Sequence, residues 1–197
     1  HPDRLLGVME SFIEENPKTY RSLLKAMIEA CQYCDRNREE VAQLISNRSF
    51  TGAKPELTRA GIVGEYNYGG FDGRDRIVKS DSTTLFFDLP KDVPQVENEH
   101  STFMWRSRSL WLMTQAARWG QIKEIPKDAD KLTEKAWRSD IYREVAAELG
   151  IPCPAEDFKV EPAEAFIDKK AFDPSDPVGY LKSFEIRANR PAQFSLA

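Results

Sequence analysis

The chain has 197 residues and a formal net charge of −4, from 28 lysine and arginine residues against 32 aspartate and glutamate residues. This mildly acidic balance argues against a general nucleic-acid-binding protein, which needs a basic face to displace counterions. No apolar run approaches the roughly 20 residues that a membrane-spanning helix requires, so the sequence predicts a globular protein of one domain or two small lobes.

The N-terminal quarter of the chain is predicted to consist of three helices. Apolar residues recur at helical spacing over 3–15, and Asn16-Pro17 ends this helix and begins the next, with proline at the first helical position. A third helix begins at Asn37, where Glu40 three residues later completes a capping box. The second helix presents one apolar stripe, made of Tyr20, Leu23, Leu24, Met27, Ile28 and Cys31.

Three cysteines are too few for a disulfide framework. Cys31 and Cys34 form a CxxC pair, but both are predicted late in a helix, away from the N-terminal dipole that lowers a thiol pKa. A zinc site would need two further ligands, and only Cys153, His1 and His100 could contribute. We therefore expect structural thiols, with metal or redox chemistry as the alternative. We expect His100 to be solvated in its acidic loop, with a ligand contact as the alternative.

The middle of the chain, residues 49–101, is rich in glycine, aspartate, asparagine and proline. In it, only TTLFFDL at 83–89 has the character of a strand. Loops of this length in a compact domain are usually functional or disordered. The segment GEYNYGG at 64–70 could donate backbone N–H groups to an anion, or it could be a plain turn, and both interpretations stay open.

Residues 103–122 read FMWRSRSLWLMTQAARWGQI and combine aromatic surface with positive charge. We predict a helix over 104–119 that Gly120 ends. Its apolar residues lie on more than one face, which is typical of a helix buried between other elements. The stretch holds three of the four tryptophans together with three arginines: Trp105, Trp111, Trp119, Arg106, Arg108 and Arg118.

Two further helices are predicted after this stretch. Ser139 caps the first and Gly150 ends it, and Asp176-Pro177 begins the second. Several helices and few strands would indicate an all-α protein if the chain were complete. The chain opens in a helical pattern without an initiator methionine, so we predict that it is a piece of a longer protein with a sheet upstream.

Arg106 is the arginine with the clearest functional interpretation. It follows a polar loop, lies beside Trp105 and is predicted to begin a helix, where free N–H groups create positive potential. Its planar guanidinium adds two-pronged donors, a combination that suits a small planar oxyanion. A structural ion pair is the alternative for Arg106, and the other two arginines are expected at the surface.

Motifs of catalysis and phosphate binding are absent from the sequence. It contains no GxSxG, no HExxH and no GxxxxGK[ST]. The sequence therefore predicts that the protein is not an enzyme and uses no cofactor.

The run WRSRSLWLMTQAARWGQI resembles a segment of nitrate-type periplasmic binding proteins. Four more segments resemble blocks of the same family, in family order: HPDRLLGV, LLKAMIEACQYCD with NREEVAQLIS, SDIYREVAAELGI, and FDPSDPVGYLKSFEI. The resemblance covers nearly the whole chain. It implies an α/β fold of the type II periplasmic-binding-protein kind, of which this chain would be a mostly helical C-terminal half with few strands.

The resemblance also implies a function. The chain would be the solute-binding component of an ABC importer, closing its lobes on nitrate or nitrite, or on bicarbonate, without chemistry. Its partners would be the anion and the transporter's permease subunits, in the periplasm or attached to the cell envelope. The implied ligand contacts are Arg106, Gly64 and Trp105.

The resemblance further suggests how the chain is organised. Residues 1–48 would be a helical segment, residues 49–102 a loop-rich segment with a short strand that forms part of the cleft, and residues 103–197 the tryptophan-rich helix with the C-terminal helices. Three alternatives remain. The first is a cytoplasmic nitrate sensor or a transporter-fused regulatory domain of this fold. The second is a helical interaction module without a small ligand. The third is an enzyme of this fold that makes the thiamine pyrimidine.

Overall fold

The computed structural model describes residues 5–70, 72–79, 84–91 and 95–185, and these ranges are predominantly helical. They divide into two compact units. The first unit comprises the described residues of 10–103 with 145–154, and the second comprises 5–9, 104–144 and 155–185. The helices are α1 Glu10–Glu15, α2 Pro17–Arg36, α3 Arg38–Ser46, α4 Pro55–Arg59, α5 Arg106–Arg118, α6 Ala129–Ala136, α7 Ser139–Glu148 and α8 Pro177–Lys182.

The first predicted helix is shorter than the sequence pattern indicated. Residues 5–9 have no regular secondary structure, and residues 3 and 4 lie outside the described residues. Leu5 and Met9 are exposed, so no burial of the apolar pattern stabilises this turn, and Gly7 adds a further cost of about 1 kcal/mol relative to alanine. The second helix begins at Pro17 as predicted.

The apolar stripe of α2 is only partly buried. Tyr20 and Ile28 are buried, whereas Leu23 and Met27 are 39% and 43% exposed. The apolar pattern therefore predicted the helix correctly, but fewer of its apolar side chains are buried in the first unit than the pattern indicated. The buried cluster of this unit is formed by Val41, Ala42 and Ile62, with Cys34, Ile45 and Phe86 packed against it.

The predicted capping box at the start of α3 is absent. Asn37 makes no side-chain cap to α3, and its Nδ2 donates instead to the carbonyl of Tyr33, at 2.9 Å. Glu40 accepts a hydrogen bond from the Tyr33 hydroxyl at 2.8 Å. Because α2 runs almost directly into α3, the asparagine satisfies the end of the first helix rather than the beginning of the second.

The predicted strand at 83–89 is wrong for its described residues, 84–89, which form bends and irregular backbone. Their backbone groups are taken by side chains: Arg38 donates to the carbonyl of Thr84, and Asp35 accepts from the N–H groups of Phe87 and Asp88. A strand needs those groups for a neighbouring strand. The sheet lies elsewhere, as an antiparallel hairpin of β1 Glu65–Asn67 and β2 Ile77–Lys79 with Tyr66 opposite Val78.

The second unit is built on α5 and its neighbours. This helix ends at Arg118, and the chain turns at Gly120, which has a φ of 74°. The buried cluster of the unit consists of Leu110, Ala129, Phe172, Tyr180 and Phe184. Helix α6 and the short helix α4 of the first unit were not predicted, because their apolar patterns are too brief to form a clear stripe.

The three tryptophans of residues 103–122 have different environments. Trp105 is fully buried, whereas Trp119 is 56% exposed. The indole N–H of Trp111 donates to the Tyr180 hydroxyl at 3.1 Å. Trp105 therefore serves as packing, and Trp111 links α5 to α8.

Helix α8 begins at a cap that the sequence predicted. The Oδ1 atom of Asp176 accepts a hydrogen bond from the N–H of Gly179 at 2.8 Å. A side chain at position 179 would push the Asp176 carboxylate out of its capping position, so glycine is compatible with this cap. The cap and the glycine together fix where this helix starts.

Replacing Asp176 with alanine is expected to lower the free energy of unfolding by about 1 kcal/mol, the usual cost of losing an N-cap. Asp176→Asn keeps an acceptor and should stay within about 0.5 kcal/mol of the wild type. Urea unfolding followed by tryptophan fluorescence would measure both. Equal losses in the two variants would contradict a capping role.

Across the described ranges, the structure contains no helix that combines the length and the apolar character needed to span a bilayer.

Candidate functional site

Arg106 is the first residue of α5, and its side chain is only 11% exposed. Its Nε donates to the Thr133 hydroxyl at 3.2 Å, and its Nη1 donates to Asp157 Oδ2 at 3.1 Å. Its Nη2 donates to both the carbonyl and the carboxylate of Asp130, at 2.9 and 2.7 Å. All three nitrogens of the guanidinium are therefore hydrogen bonded within the second unit.

One face of the Arg106 guanidinium packs against an aromatic ring. The Cζ atom of Arg106 lies 4.9 Å from the centre of the Phe158 ring, a distance typical of a cation–π contact. The plane of the guanidinium is thus fixed by the ring below it and by carboxylates at two of its edges. This arrangement preorganises a planar donor group.

Asp157 is the central acceptor of this network. Its Oδ1 accepts hydrogen bonds from Ser139 and from Arg143, each at 2.7 Å, while Oδ2 accepts from Arg106. Burial acts to raise the pKa of the Asp157 carboxyl, but the hydrogen bonds from Ser139, Arg143 and Arg106 and the charge of Arg143 outweigh it, so the pKa is lowered. Asp157 is therefore ionised at neutral pH and balances the positive charges around it.

The N-terminus of α5 is covered by the protein's own chain. The backbone N–H of Arg106 donates to the carbonyl of Asp157 at 2.9 Å. The hydroxyl of Ser107 accepts a long hydrogen bond of 3.4 Å from the N–H of Lys159. Of the donors that a helix start offers to an anion, the N–H of Arg106 is thus already used internally.

The other two predicted contacts lie in different places. Trp105 directly precedes Arg106 in the second unit and has no exposed surface. Gly64 lies in the first unit, where it is buried, ends a π-helical turn over Ala60–Gly64, and has a φ of 87° that only glycine adopts readily. Within either unit by itself, the three residues do not form one site, and their role as ligand contacts stays a prediction.

The glycine-rich segment after Gly64 forms the hairpin rather than an open loop. The N–H of Gly69 donates to Asn67 Oδ1 at 2.9 Å, and the N–H of Tyr68 donates to the carbonyl of Arg76 at 3.0 Å. Two of the N–H groups that the sequence offered to an anion are therefore used within the hairpin. This favours the turn interpretation for that part of the segment.

The other arginines of α5 are not simple surface charges. Arg108 pairs with Glu161 at 3.5 Å, and their side chains are only 15% and 14% exposed. The Cζ atom of Arg118 lies 3.7 Å from the centre of the Phe184 ring and 4.8 Å from that of Trp119. The prediction that they serve the surface is wrong for Arg108, whose charge is neutralised in the interior.

His100 is half-buried rather than solvated. Its Nε2 lies 3.0 Å from the carbonyl of Pro152, and its ring stacks on Phe87 with centroids 4.2 Å apart. The expectation of a solvated loop histidine is therefore wrong, because residues distant in sequence enclose it. These contacts give the side chain a structural role in the first unit.

The CxxC cysteines are half-buried free thiols. Burial is the main cause that raises the pKa of Cys31, with further contributions from Cys34 and Asp35. Burial likewise raises the pKa of Cys34, followed by the effect of Asp35, while Arg38 opposes it. Both groups are therefore protonated at neutral pH, which disfavours nucleophilic or metal-binding chemistry.

The acidic residues around Arg106 were missed by the sequence analysis. Asp130 lies 24 residues and Asp157 lies 51 residues after Arg106, so no local pattern connects them. Asp130 is in the first turn of α6, a helix that the sequence did not predict. Asp157 follows a proline-containing loop and carries no motif that would mark it.

Comparison with known proteins gives a consistent result. A family model described as NMT1-like matches residues 1–46. In the solved structures, the chain is similar to the periplasmic nitrate-binding protein NrtA from Synechocystis PCC 6803, with a TM-score of 0.74 and 28% identity over 89% of this chain and 43% of that one. The chain is therefore related to the nitrate-type binding proteins. It has the α/β periplasmic-binding fold of those proteins, represented by a mostly helical portion.

Two curated relatives extend this similarity. The chain is 31% identical over 188 residues to the nitrate import ATP-binding protein NrtC of Synechocystis, covering 94% of this chain and 26% of that protein. It is 29% identical over 195 residues to the bicarbonate-binding protein CmpA of Synechococcus elongatus, covering 95% of this chain and 41% of that protein. The chain thus spans about a quarter to two fifths of these relatives. Two of the three are named as binding proteins, in agreement with the prediction that this region is not an enzyme.

Proposed function

We propose that this chain is part of the solute-binding component of an ABC importer for a small oxyanion. The observation that carries the proposal is the similarity to a solved nitrate-binding protein over 89% of the chain. The bicarbonate-binding relative supports the same class of ligand, a small planar anion. The protein would bind the anion by lobe closure and deliver it unchanged to permease subunits, in the periplasm or at the cell envelope.

For the anion itself we propose nitrate or nitrite, with bicarbonate as the competing ligand. Arg106 would supply the charge, with Gly64 and Trp105 as neighbouring contacts. The planar guanidinium held over Phe158 supports this role, because it offers a positive charge and an N–H donor in a fixed position to a planar oxyanion. Arg106 pairs with Asp130 and Asp157 in the structure, so anion binding requires one of these carboxylates to move.

The test is calorimetric titration of sodium nitrate into the intact protein that carries this sequence, followed by competition with nitrite and bicarbonate. Arg106→Ala is expected to weaken anion binding tenfold or more, since a charged hydrogen bond contributes about 1.5–3 kcal/mol. Arg74→Ala is the matched control, because it removes the same charge from a side chain that is 83% exposed. It should leave the affinity unchanged.

Arg106→Ala also removes a partner of Asp157, so its fold must be checked by circular dichroism. Arg106→Lys keeps the positive charge but loses the two-pronged geometry, and we expect a smaller loss of affinity from it. A folded Arg106→Ala protein with wild-type affinity would exclude Arg106 as the anion contact. Absence of binding by any small oxyanion to the wild type would exclude the function.

A second candidate is a regulatory domain fused to a transporter ATPase. The specific observation in its favour is the 31% identity to NrtC, an ATP-binding import protein of which this chain spans 26%. An immunoblot of fractionated cells with an antibody against residues 139–160 distinguishes the two. A band of ATPase size at the cytoplasmic side of the membrane would favour the fused domain, and a smaller polypeptide released with the periplasm would favour the binding protein.

A further inference from the structure

The carboxylate and the carbonyl of Asp130 both lie against the Nη2 edge of the Arg106 guanidinium. Asp130 Oδ1 accepts from Arg106 Nη2 at 2.7 Å, and the same nitrogen donates to the Asp130 carbonyl at 2.9 Å. The Asp130 side chain is 75% exposed, whereas that of Arg106 is 11% exposed. The exposed partner of this pair is thus the carboxylate, and the buried partner is the guanidinium.

We propose that Asp130 is an internal competitor that occupies the anion position on Arg106 and leaves it when the anion binds. The inference rests on the proposed anion-binding function and deepens it, since it names a residue that sets the affinity. Binding is then an exchange in which an external oxyanion replaces the side-chain carboxylate.

The other edges of Arg106 are poorly suited to such an exchange. Nη1 is held by Asp157, whose carboxylate is 29% exposed and also accepts from Ser139 and Arg143. Displacing Asp157 would leave the charge of Arg143 without this partner, which is costly in a half-buried environment. Nε is directed at the hydroxyl of Thr133, which has no exposed surface. Nη2 is therefore the edge at which a partner leaves at least cost.

The exposure of the competing carboxylate favours exchange. The Asp130 carboxylate is 75% exposed and regains its hydration when it leaves, so an external anion can replace it at little cost. The Asp130 carbonyl, which also accepts from the Thr133 hydroxyl at 2.6 Å, keeps its own bond to Arg106 when the carboxylate leaves. The guanidinium thus stays in position throughout.

The exchange also indicates which ligands fit. A departing carboxylate carries one negative charge on two oxygens in a plane, so a monovalent planar oxyanion replaces it with the same charge and similar geometry. A divalent anion would add a negative charge beside Asp157. The site therefore fits nitrate, nitrite or bicarbonate better than sulfate or hydrogen phosphate.

The experiment is calorimetric titration of sodium nitrate, and separately of sodium bicarbonate, into the intact wild-type protein and two variants. Asp130→Asn removes the competing charge, and we expect it to raise the association constant about two- to fivefold. Asp128→Asn is the matched control: it removes the same charge two residues away, from an exposed side chain that makes no cap hydrogen bond to α6. It should leave the association constant unchanged.

The outcomes separate the inference from the function beneath it. If the wild type binds an anion and Asp130→Asn binds it equally or more weakly, Asp130 is not a competitor while the anion-binding function stands. If both variants gain affinity equally, the effect is long-range electrostatics and the inference is overturned. If neither the wild type nor Asp130→Asn binds any anion, the proposed function fails together with the inference.

Discussion

Replacing Asp157 with asparagine is expected to lower the free energy of unfolding of the second unit by about 3 kcal/mol. The carboxylate accepts from Ser139, Arg143 and Arg106 and is 29% exposed. Asparagine keeps the shape but removes the charge and replaces one acceptor with a donor, which leaves one of the two guanidinium groups facing a donor. Breaking a half-buried charge network costs more than the network itself contributes, because the remaining charges stay desolvated.

Urea unfolding followed by tryptophan fluorescence is the measurement, because all four tryptophans lie between residues 105 and 137 and therefore report on the second unit. Asp140→Asn is the matched control. Asp140 pairs only with a neighbour two residues away, Arg138, in the described contacts, and its side chain is 58% exposed, so the expected loss is below about 1 kcal/mol. If Asp157→Asn does not fold, Ser139→Ala removes one bond and should cost about 1 kcal/mol. Equal effects in the Asp157 and Asp140 variants would contradict the central role of Asp157.

The pH dependence of this effect has a definite sign. The folded-state pKa of Asp157 is lowered from its usual 3.8, so the unfolded state binds the proton more tightly. The stabilisation is fully present above the unfolded-state pKa and is lost as the pH falls through the folded-state pKa. The difference between the wild type and Asp157→Asn should therefore be constant near neutrality and shrink below about pH 4.

Replacing Asp35 with asparagine is expected to destabilise the first unit by a similar amount, about 3 kcal/mol. The Asp35 side chain is 7% exposed and forms an ion pair with Arg38. Its Oδ2 accepts from the N–H groups of Phe87 and Asp88 at 2.8 and 2.7 Å. Arg38 in turn donates to the carbonyls of Ile62 and Thr84 at 2.7 and 2.9 Å. The pair thus joins the end of α2 and the start of α3 to the π-helical turn Ala60–Gly64 and to the irregular segment 84–88.

Two measurements test the role of Asp35. Urea unfolding followed by circular dichroism gives the stability, and hydrogen exchange of the peptide containing residues 84–91 reports the bonds to Phe87 and Asp88 directly. Glu39→Gln is the matched control, since Glu39 forms a two-pronged pair with Arg59 but is 59% exposed, and we expect it to cost below about 1 kcal/mol. Unchanged exchange of that peptide in Asp35→Asn would show that the bonds do not hold the segment.

Helices with a clear local signal were the most predictable part of the fold. Proline begins α2 and α8, and glycine follows α5 and α7 at positions 120 and 150, both with positive φ. These signals lie within a few residues of the structure they specify, so they survive in a single sequence. The hairpin and α6 were missed because a strand of three residues and a helix of eight carry too little periodicity.

The candidate site was predictable only in part. The sequence correctly singled out Arg106 as the start of a helix beside a tryptophan. It did not reveal that Asp130 and Asp157 occupy the guanidinium, because these partners come from segments 24 and 51 residues away. It also assigned Arg108 to the surface, whereas Glu161, distant in sequence, neutralises it in the interior.

The sequence by itself determined the resemblance to nitrate-type binding proteins, the order of the main helices and the absence of catalytic motifs, because each of these depends on residues that are close together along the chain. Only the tertiary structure decided which carboxylate meets which arginine and that residues 84–89 bond to side chains instead of to a strand. Those choices depend on burial, which brings distant charges into a low-dielectric environment where each must find a partner. For Arg106, folding places the carboxylates of Asp130 and Asp157 against the guanidinium nitrogens that an anion would otherwise contact.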